Sequence, residues 1–288
     1  MDGSRSSSSG GHPAAGTGQA DANVTSVSGL DGCRAKIARA AEHKAALEAA
    51  IDEWLSGQPF ALEGRAEPGS NWFMVTFRER KAPPLRLGTI FGDFVSNLES
   101  ALDLLIYQLV LASGKTPGSG NYFPIVTLPD RWASARQDKL KGVSDPLAER
   151  IRLVQPFNDG FNAHLHWLSI LHCANKVNKH HVVIPTTISS TTGWQLTYEL
   201  NRNAQTGDEI MHDLDPPGAG TVLKEGQVLA RLRAISPSGD LRITRIQEIG
   251  AADVGIGFDL PIKLSGKLPD FIVLAEGVID EFEQILGA

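Results

Sequence analysis

Two segments of the chain carry the side chains that could bind a ligand or transfer protons. The first, residues 92–110 (GDFVSNLESALDLLIYQLV), mixes leucines with short hydrogen-bonding side chains. The second, residues 161–181 (FNAHLHWLSILHCANKVNKHH), begins as an apolar run and ends in Asn, Lys and His. Amide, carboxylate, ammonium and imidazole groups held together can bind a polar ligand or act as general acids and bases. These two segments therefore define the candidate site.

Both segments are predicted to be helices, over residues 85–112 and 161–180, because apolar residues recur at spacings of three and four. On a helical wheel, the polar side chains of the first helix fall within an arc of about 120°. Solvated helix faces are usually rich in Lys, Glu and Arg, so these short polar side chains predict packing against another polar surface. The set comprises Asp93, Asn97, Ser100, Asp103 and Tyr107.

The second helix offers a matching face. Its apolar side, which includes Leu168 and Leu171, carries polar residues on the same wheel. These are His164, Asn175 and Asn178, with Lys179 at the flank. We expect the two polar sets to face each other, and we call this predicted interface the polar seam.

Two interpretations of the polar seam are open. Buried polar groups are costly unless they are paired, so the seam could be a hydrogen-bond network that fixes the register of the two helices. Alternatively, it is a pocket in which a carboxylate, a lysine and a histidine contact a ligand. In such a pocket Asp93 or His180 would be the better general base, and Lys179 would hold an anionic group.

The preferred function is non-catalytic, namely a soluble ligand-binding or interaction protein with a polar pocket between helices 85–112 and 161–180. The alternative is a metal-independent hydrolase that uses Lys179, His180 and Asp93. Whether the protein is an enzyme stays open at this point.

Metal and nucleotide chemistry lack their sequence signatures. His180 and His181 are adjacent, so on a strand they would point to opposite faces, and one usable His with one Asp is too few ligands for zinc. The two cysteines, Cys33 and Cys173, have no CxxC spacing and are interpreted as reduced core residues, with a disulfide between them as the less favoured alternative. GxGxxG after a strand, GxxxxGK before Ser or Thr, GxSxG and HExxH are all absent. We therefore expect no metal and no cofactor.

Composition and charge exclude further classes of protein. The formal net charge is -6 and the isoelectric point about 5.8, so the molecule as a whole is not a basic nucleic-acid binder. No uninterrupted apolar run reaches the roughly 18 residues that span a membrane. The N-terminus has no apolar segment of the signal-peptide type. We expect a cytoplasmic protein without a membrane partner.

The order of the predicted elements is typical of an α+β protein. Residues 1–27 are rich in Ser, Gly and Ala and are predicted to be a disordered tail. Residues 28–288 are expected to form a single domain. Its helical part, about 28–181, is followed by a β-rich part, about 182–288, with a mostly antiparallel sheet.

Individual elements follow from periodicity and turn residues. A helix is predicted at about 30–55, and a C-terminal helix at about 269–286 is expected to cover the sheet. Strands 60–66 and 72–79 should form a hairpin. Further strands are predicted at 182–188, 194–200, 209–214, 227–235, 241–249 and 255–260, with residues 236–240 as a hairpin turn.

The helix segments, together with YFPIV at 122–126 and IRLVQPFN at 151–158, carry a family resemblance. They resemble a family of uncharacterised bacterial proteins common in actinobacteria. The family pattern matches Gly92-Asp93, Asn97 and Ser100–Asp103 in the first helix, and Asn175 and Lys179-His180 in the second. The resemblance covers roughly residues 30–185 and implies an α+β fold without an established activity.

A second likeness is to helical ribonucleases of the HEPN type, which carry an Arg-polar-xxx-His motif. The comparable stretch is KVNKH, where Lys176 replaces the Arg and Val177 occupies the polar position. These departures count against RNA cleavage. The expected partner is therefore a small molecule or a protein, with RNA less favoured, and a homo-oligomer is compatible with the sequence.

Overall fold

The structure is a computed structural model of an α+β protein, the predicted fold class. The helical N-terminal half, the early β-hairpin, the antiparallel sheets and the C-terminal helix are all present. The residues that the structure describes are 29–180, 186–190, 195–214, 221–249, 252–256 and 262–287. The predicted tail, residues 1–27, lies outside the described residues.

The helical half is built around one long apolar helix. In chain order the helices are α1 (Asp31–Ser56), α2 (Leu85–Ala112), α3 (Trp132–Lys139), α4 (Asp145–Leu153), α5 (Trp167–His180) and α6 (Leu264–Leu286), with 3-10 segments at Pro129–Arg131 and Pro156–Leu165. α2 has the bounds predicted from its periodicity. Pro84 precedes it in an extended conformation, and Gly114, with φ of 69°, follows its last turn.

α2 is the centre of the core. Thirteen of its residues are buried, and α1 and α6 both pack on it. By length and composition α2 could also cross a bilayer, but half of its most apolar window is buried inside the protein, as in a core helix. The ring of Phe94 on α2 lies 6.5 Å from that of Phe271 on α6. Burial of this kind fixes the orientation of α2 about its axis.

The C-terminal helix differs from the prediction in its start and in its main neighbours. It begins at Leu264 rather than near Pro269, because the fully buried Leu268 extends its apolar stripe by a turn. It packs mainly on α1 and α2 rather than on a sheet. Arg34 of α1 adds ion pairs to Asp280 at 2.7 Å and Glu283 at 2.5 Å.

The described strands form three antiparallel sheets. The strands are β1 (Phe60–Ala66), β2 (Trp72–Glu79), β3 (Thr186–Ser190), β4 (Gln195–Leu200), β5 (Glu209–Leu214), β6 (Val228–Ile235), β7 (Ile243–Ile249), β8 (Ala252–Ile256) and β9 (Ile262–Lys263). Their orders are β1-β2-β6-β5, β3-β8-β9 and β4-β7. The predicted hairpin of β1 and β2 is confirmed. Residues 182–185 and 257–260, which belong to two predicted strands, lie outside the described residues.

Residues 236–240 do not form the predicted hairpin turn. β6 pairs with β2 and β5, whereas β7 pairs with β4. The connection instead carries the chain from one sheet to another. Leu232 of β6 and Ile243 of β7 belong to the same apolar cluster, together with Phe73, so the two sheets pack face to face. The free energy gained by burying the apolar faces of both sheets in this β-sandwich is larger than the free energy that pairing β6 with β7 would give.

A cluster of ion pairs, the Arg202 cluster, holds the connection from β6 to β7. The Arg202 guanidinium contacts Asp208 at 2.6 Å and Asp240 at 2.7 Å, and it donates to the hydroxyl of Ser236 at 3.0 Å. Only 2% of the Asp208 side chain is exposed. Hydrogen bonds from Arg202 hold the pKa of Asp240 at about 2 and the pKa of Asp208 well below its usual range.

The Arg202 cluster should make the protein less stable in acid. A carboxylate whose folded-state pKa is depressed contributes stability above its unfolded pKa, near 4, and loses it as the pH falls through the folded value. We expect the free energy of unfolding to fall between about pH 4 and the folded pKa of Asp240, about 2. Denaturant titrations at successive pH values would measure this loss.

The variant Asp240→Asn should be less stable at neutral pH but should lose less stability over the same acidic range. Asp52→Asn on α1 is the control, because it removes the same charge from an exposed residue without breaking an ion pair in the described part of the chain. An Asp240→Asn variant with the wild-type acid dependence would contradict this role of the cluster.

The cysteines are both free, as expected for reduced thiols, but only one is a core residue. Cys33 on α1 is buried, and burial raises the pKa of its thiol to about 11. Cys173 is exposed on α5, next to the exposed His172, which corrects its predicted place in the core. The apolar face of α5, with Leu171 and Ala174, points away from this side.

Candidate functional site

The second helix of the candidate site is shorter than predicted. Residues Pro156–Leu165 form a 3-10 segment, kinked at Gly160 with φ of 58° and ψ of -123°. α5 starts only at Trp167, after the extended His166. The break resets the helical wheel, so His164 is exposed and does not share a face with Asn175. The prediction that His164 belongs to the polar seam is wrong.

Asn175 lies at the centre of the contact between α2 and α5 and has no exposed surface. The Ser96 hydroxyl donates to Asn175 Oδ1 at 2.8 Å, and Asn175 Nδ2 donates to Glu99 Oε2. Asn178 Nδ2 donates to the Ser96 hydroxyl oxygen at 3.3 Å. Both ends of the Asn175 amide are therefore paired inside the protein, as a buried polar group requires.

Glu99 connects this buried network to the surface. Its side chain is 12% exposed, and its Oε1 lies 2.9 Å from Nδ1 of His172, which is 49% exposed. A carboxylate at one ring nitrogen fixes the orientation of an imidazole and leaves the other nitrogen for a second partner. Within the described part of the chain, Nε2 of His172 has no hydrogen-bond partner. Lys176, one turn further along α5, is also exposed.

Gly92 sets how closely the two helices approach. A Cβ at this position would lie 2.2 Å from Oδ1 of Asn178 and 2.6 Å from its Cγ. No side-chain carbon fits at such distances, so the Asn178 amide occupies the space that any other residue would fill. Gly92, Ser96 and Glu99 thus form the stripe of α2 that contacts α5.

The polar set predicted for α2 does not face α5. Asp93 and Tyr107 are exposed. Asn97 donates to the backbone oxygen of Asp93 at 2.8 Å and accepts from Lys36 of α1 at 3.5 Å. The Ser100 hydroxyl donates to the backbone oxygen of Ser96 at 2.7 Å.

Asp103 lies on the stripe that contacts α5, but further along α2, where its Oδ1 accepts from the backbone N–H of Phe123 at 2.9 Å. The predicted arc is centred roughly 70° away from the stripe of Gly92, Ser96 and Glu99. Ser96 and Glu99 are not among the residues predicted for the seam. The signal that could have found them is the spacing of Gly92 and Ser96, two small residues that permit close helix approach.

Of the residues predicted on α5, Asn175 and Asn178 are at the interface, and Lys179 and His180 end the helix. The side chains of Lys179 and His180, and all of His181, lie outside the described residues. Among the residues that the structure describes, no group of three His, Cys, Asp or Glu side chains could hold a metal ion.

The fold and the site together define an α+β protein whose helix interface carries a buried polar network that reaches the surface at one histidine. Comparisons with protein-family models, curated proteins and solved structures found no match to this chain.

Proposed function

We propose that the protein is a non-catalytic binding protein, and that it takes a small polar ligand at the solvent edge of the α2–α5 interface. One observation carries the proposal: the imidazole of His172 is held at Nδ1 by Glu99, at 2.9 Å, while its side chain is 49% exposed and its Nε2 has no partner in the described residues. A ring fixed in this way is ready to hydrogen-bond a ligand without first losing side-chain freedom.

The rigidity of this edge comes from the network behind it. Glu99 is held from inside by Asn175, which is fully buried and bonded in turn to Ser96. Groups supported by a second layer of hydrogen bonds keep their geometry when a ligand binds. The network therefore supports binding at His172 even though its inner members are shielded from solvent.

The charge at the edge indicates the kind of ligand. Lys176 follows His172 by one helical turn, and its ammonium has no ion pair in the part of the chain that the structure describes. An ammonium beside an imidazole favours a ligand with a carboxylate, a phosphate or another strong acceptor. We expect a small acid rather than a polyanion such as RNA, because the protein carries a net charge of -6 and would repel a highly charged anion.

A metal-independent hydrolase, including an RNA-cleaving enzyme, is the second candidate. The predicted trio of Asp93, Lys179 and His180 does not favour it, because Asp93 is exposed on α2 and the other two side chains lie outside the described residues. The observation that favours it is the Glu99–His172 pair, since a carboxylate-oriented imidazole is a common general base.

Binding can be tested by ligand-induced thermal stabilisation with a panel of small carboxylic acids and phosphate esters, alongside native mass spectrometry of the purified protein. We expect at least one compound to raise the melting temperature, and His172→Ala and Lys176→Ala to reduce that rise. His164→Ala is the matched control, because it removes an exposed histidine from the neighbouring 3-10 segment.

Two results would overturn the binding proposal. One is a wild-type protein that neither retains a molecule in native mass spectrometry nor responds to any compound of the panel. The other is cleavage of a fluorogenic ester or RNA oligonucleotide that is lost in Glu99→Gln and His172→Ala while their melting temperatures are unchanged, which would establish the hydrolase.

A further inference from the structure

We propose that a second site, at one end of the β-sandwich, binds a small organic anion with a flat apolar body. The site is separate from the α2–α5 interface, so the proposal does not depend on the proposed function. It lies between the turn that joins β1 to β2 and the connection that joins β6 to β7. The cavity there has a volume of about 230 Å³.

The lining of this cavity is basic and apolar. Phe73, Leu241 and Ile243 are its apolar lining residues, and Trp72 also lines it. Arg233 and Arg242 are the charged members, and no Asp or Glu is among the lining residues, all of which are in the described part of the chain. Ser70, Asn71 and Ser236 add polar groups at the rim. A cavity of this kind attracts an anion although the whole chain is acidic.

The two arginines of the cavity differ from their neighbours in having no acidic partner. Among the described residues, Arg233 contacts the Trp72 ring, 5.9 Å from its centroid, but no carboxylate. The backbone of Arg242 is fixed by Asn201, whose Oδ1 accepts from its N–H at 2.8 Å, while its guanidinium has no ion pair in that same part of the chain. By contrast, the other arginines described between β4 and β7 are all paired, namely Arg202, Arg231 and Arg245.

Nearby carboxylates are already neutralised by other cations. Asp240 lies beside the cavity but is paired with Arg202 at 2.7 Å, and this contact keeps its pKa at about 2. Glu67 is paired with Arg231 at 3.7 Å and accepts from the Ser70 hydroxyl at 2.8 Å. These acids are therefore less able to compete for Arg233 and Arg242, and the two guanidinium groups remain available to a ligand.

The ligand class follows from these groups. Guanidinium binds carboxylate and phosphate through paired hydrogen bonds, and the Trp72 ring with the apolar wall favours a flat ring system. The cavity is smaller than the roughly 300–1,000 Å³ of drug-sized sites, which limits the ligand to about one ring with its acidic group. An aryl phosphate and an aryl carboxylate share this chemistry.

Isothermal titration calorimetry with phenyl phosphate and with benzoate tests the proposal on the full chain. We expect at least one of them to bind, while phenol and inorganic phosphate, which each lack one half of the ligand, bind more weakly. Preference for phenyl phosphate would identify a phosphate ester as the natural ligand class, and preference for benzoate a carboxylate. Absence of binding by both at about 10 mM would overturn the proposal.

Charge-removing variants place the binding at this cavity. Arg233→Gln and Arg242→Gln should each weaken binding about tenfold or more, because each removes a charge-assisted contact. Arg245→Gln is the matched control, since it removes the same charge from β7 outside the cavity and should bind like the wild type. Equal weakening in all three variants would show a general charge effect and overturn the assignment. Because Arg242 is exposed, its variant keeps the test valid if Arg233→Gln fails to fold.

Discussion

Replacing Asn175 with Asp should lower the free energy of unfolding by about 4 kcal/mol at neutral pH. Asn175 is fully buried, and its amide nitrogen donates to the carboxylate of Glu99. The substitution removes that donor and places a second carboxylate against the first, where solvent screens the repulsion poorly. Urea denaturation followed by circular dichroism would measure the loss.

Two comparisons make the Asn175 prediction specific. Asn175→Ala, which removes the donor without adding a charge, should cost about 3 kcal/mol, less than the Asp variant. The Asp variant alone should recover part of its stability in mild acid, because two facing carboxylates can then share a proton. An Asp variant as stable as the wild type at neutral pH would show that Asn175 and Glu99 do not face each other.

Replacing Gly92 with Ala should destabilise the protein by about 2 kcal/mol, although alanine is the better helix former by about 1 kcal/mol. The new Cβ would lie 2.2 Å from Oδ1 of Asn178, so the Asn178 side chain must leave the interface and lose its contact with Ser96. Thermal and urea denaturation of the single variant would measure the cost.

The double variant Gly92→Ala with Asn178→Ala identifies the cause. With the Asn178 amide removed, the same Gly92→Ala change should become stabilising by about 1 kcal/mol, a coupling of roughly 3 kcal/mol between the two positions. Gly277→Ala is the matched control on α6, because nothing lies within 4 Å of its would-be Cβ. It should be stabilising by about 1 kcal/mol. A Gly92→Ala variant that remains destabilising without the Asn178 amide would contradict the close-approach argument.

The periodicity of apolar residues and the positions of turn residues predict the helices and strands, but they do not predict which elements pack against each other. α2 and the β1–β2 hairpin were predicted with the bounds found, because a proline, a glycine or a turn marks each end. The helical wheel placed Asp93, Asn97 and Ser100 on one side of α2, but that side does not face α5. It could not show that Asn97 would meet Lys36 of α1, or that Asp103 would meet the backbone of Phe123. Those partners depend on tertiary packing, which a wheel does not contain.

The same limit explains the error at residues 236–240. Two strands separated by a short turn favour a hairpin when only local chemistry is considered. Here β6 and β7 instead lie in two different sheets, which pack against each other through Leu232 and Ile243. His164 shows a different cause, because Gly160, with its positive φ, interrupts the helix that the apolar periodicity predicts. In both places the spacing of residues predicts one structure, and sheet packing or the backbone conformation of a glycine produces another.

The pairing of β2 with β6 has a consequence for synthesis of the chain. Trp72 pairs with Arg233. About 160 further residues must therefore be synthesised after β2 before β6 can pair with its free edge. At ribosomal rates of roughly 5–20 residues per second, that wait lasts on the order of 10–30 seconds. During this time the nascent chain presents an uncovered edge of sequence WFMVTF, a template for pairing with other chains. Early docking of the hairpin on α1 and α2, or a chaperone, would have to protect it, and a chain cut before β6 would keep the edge exposed.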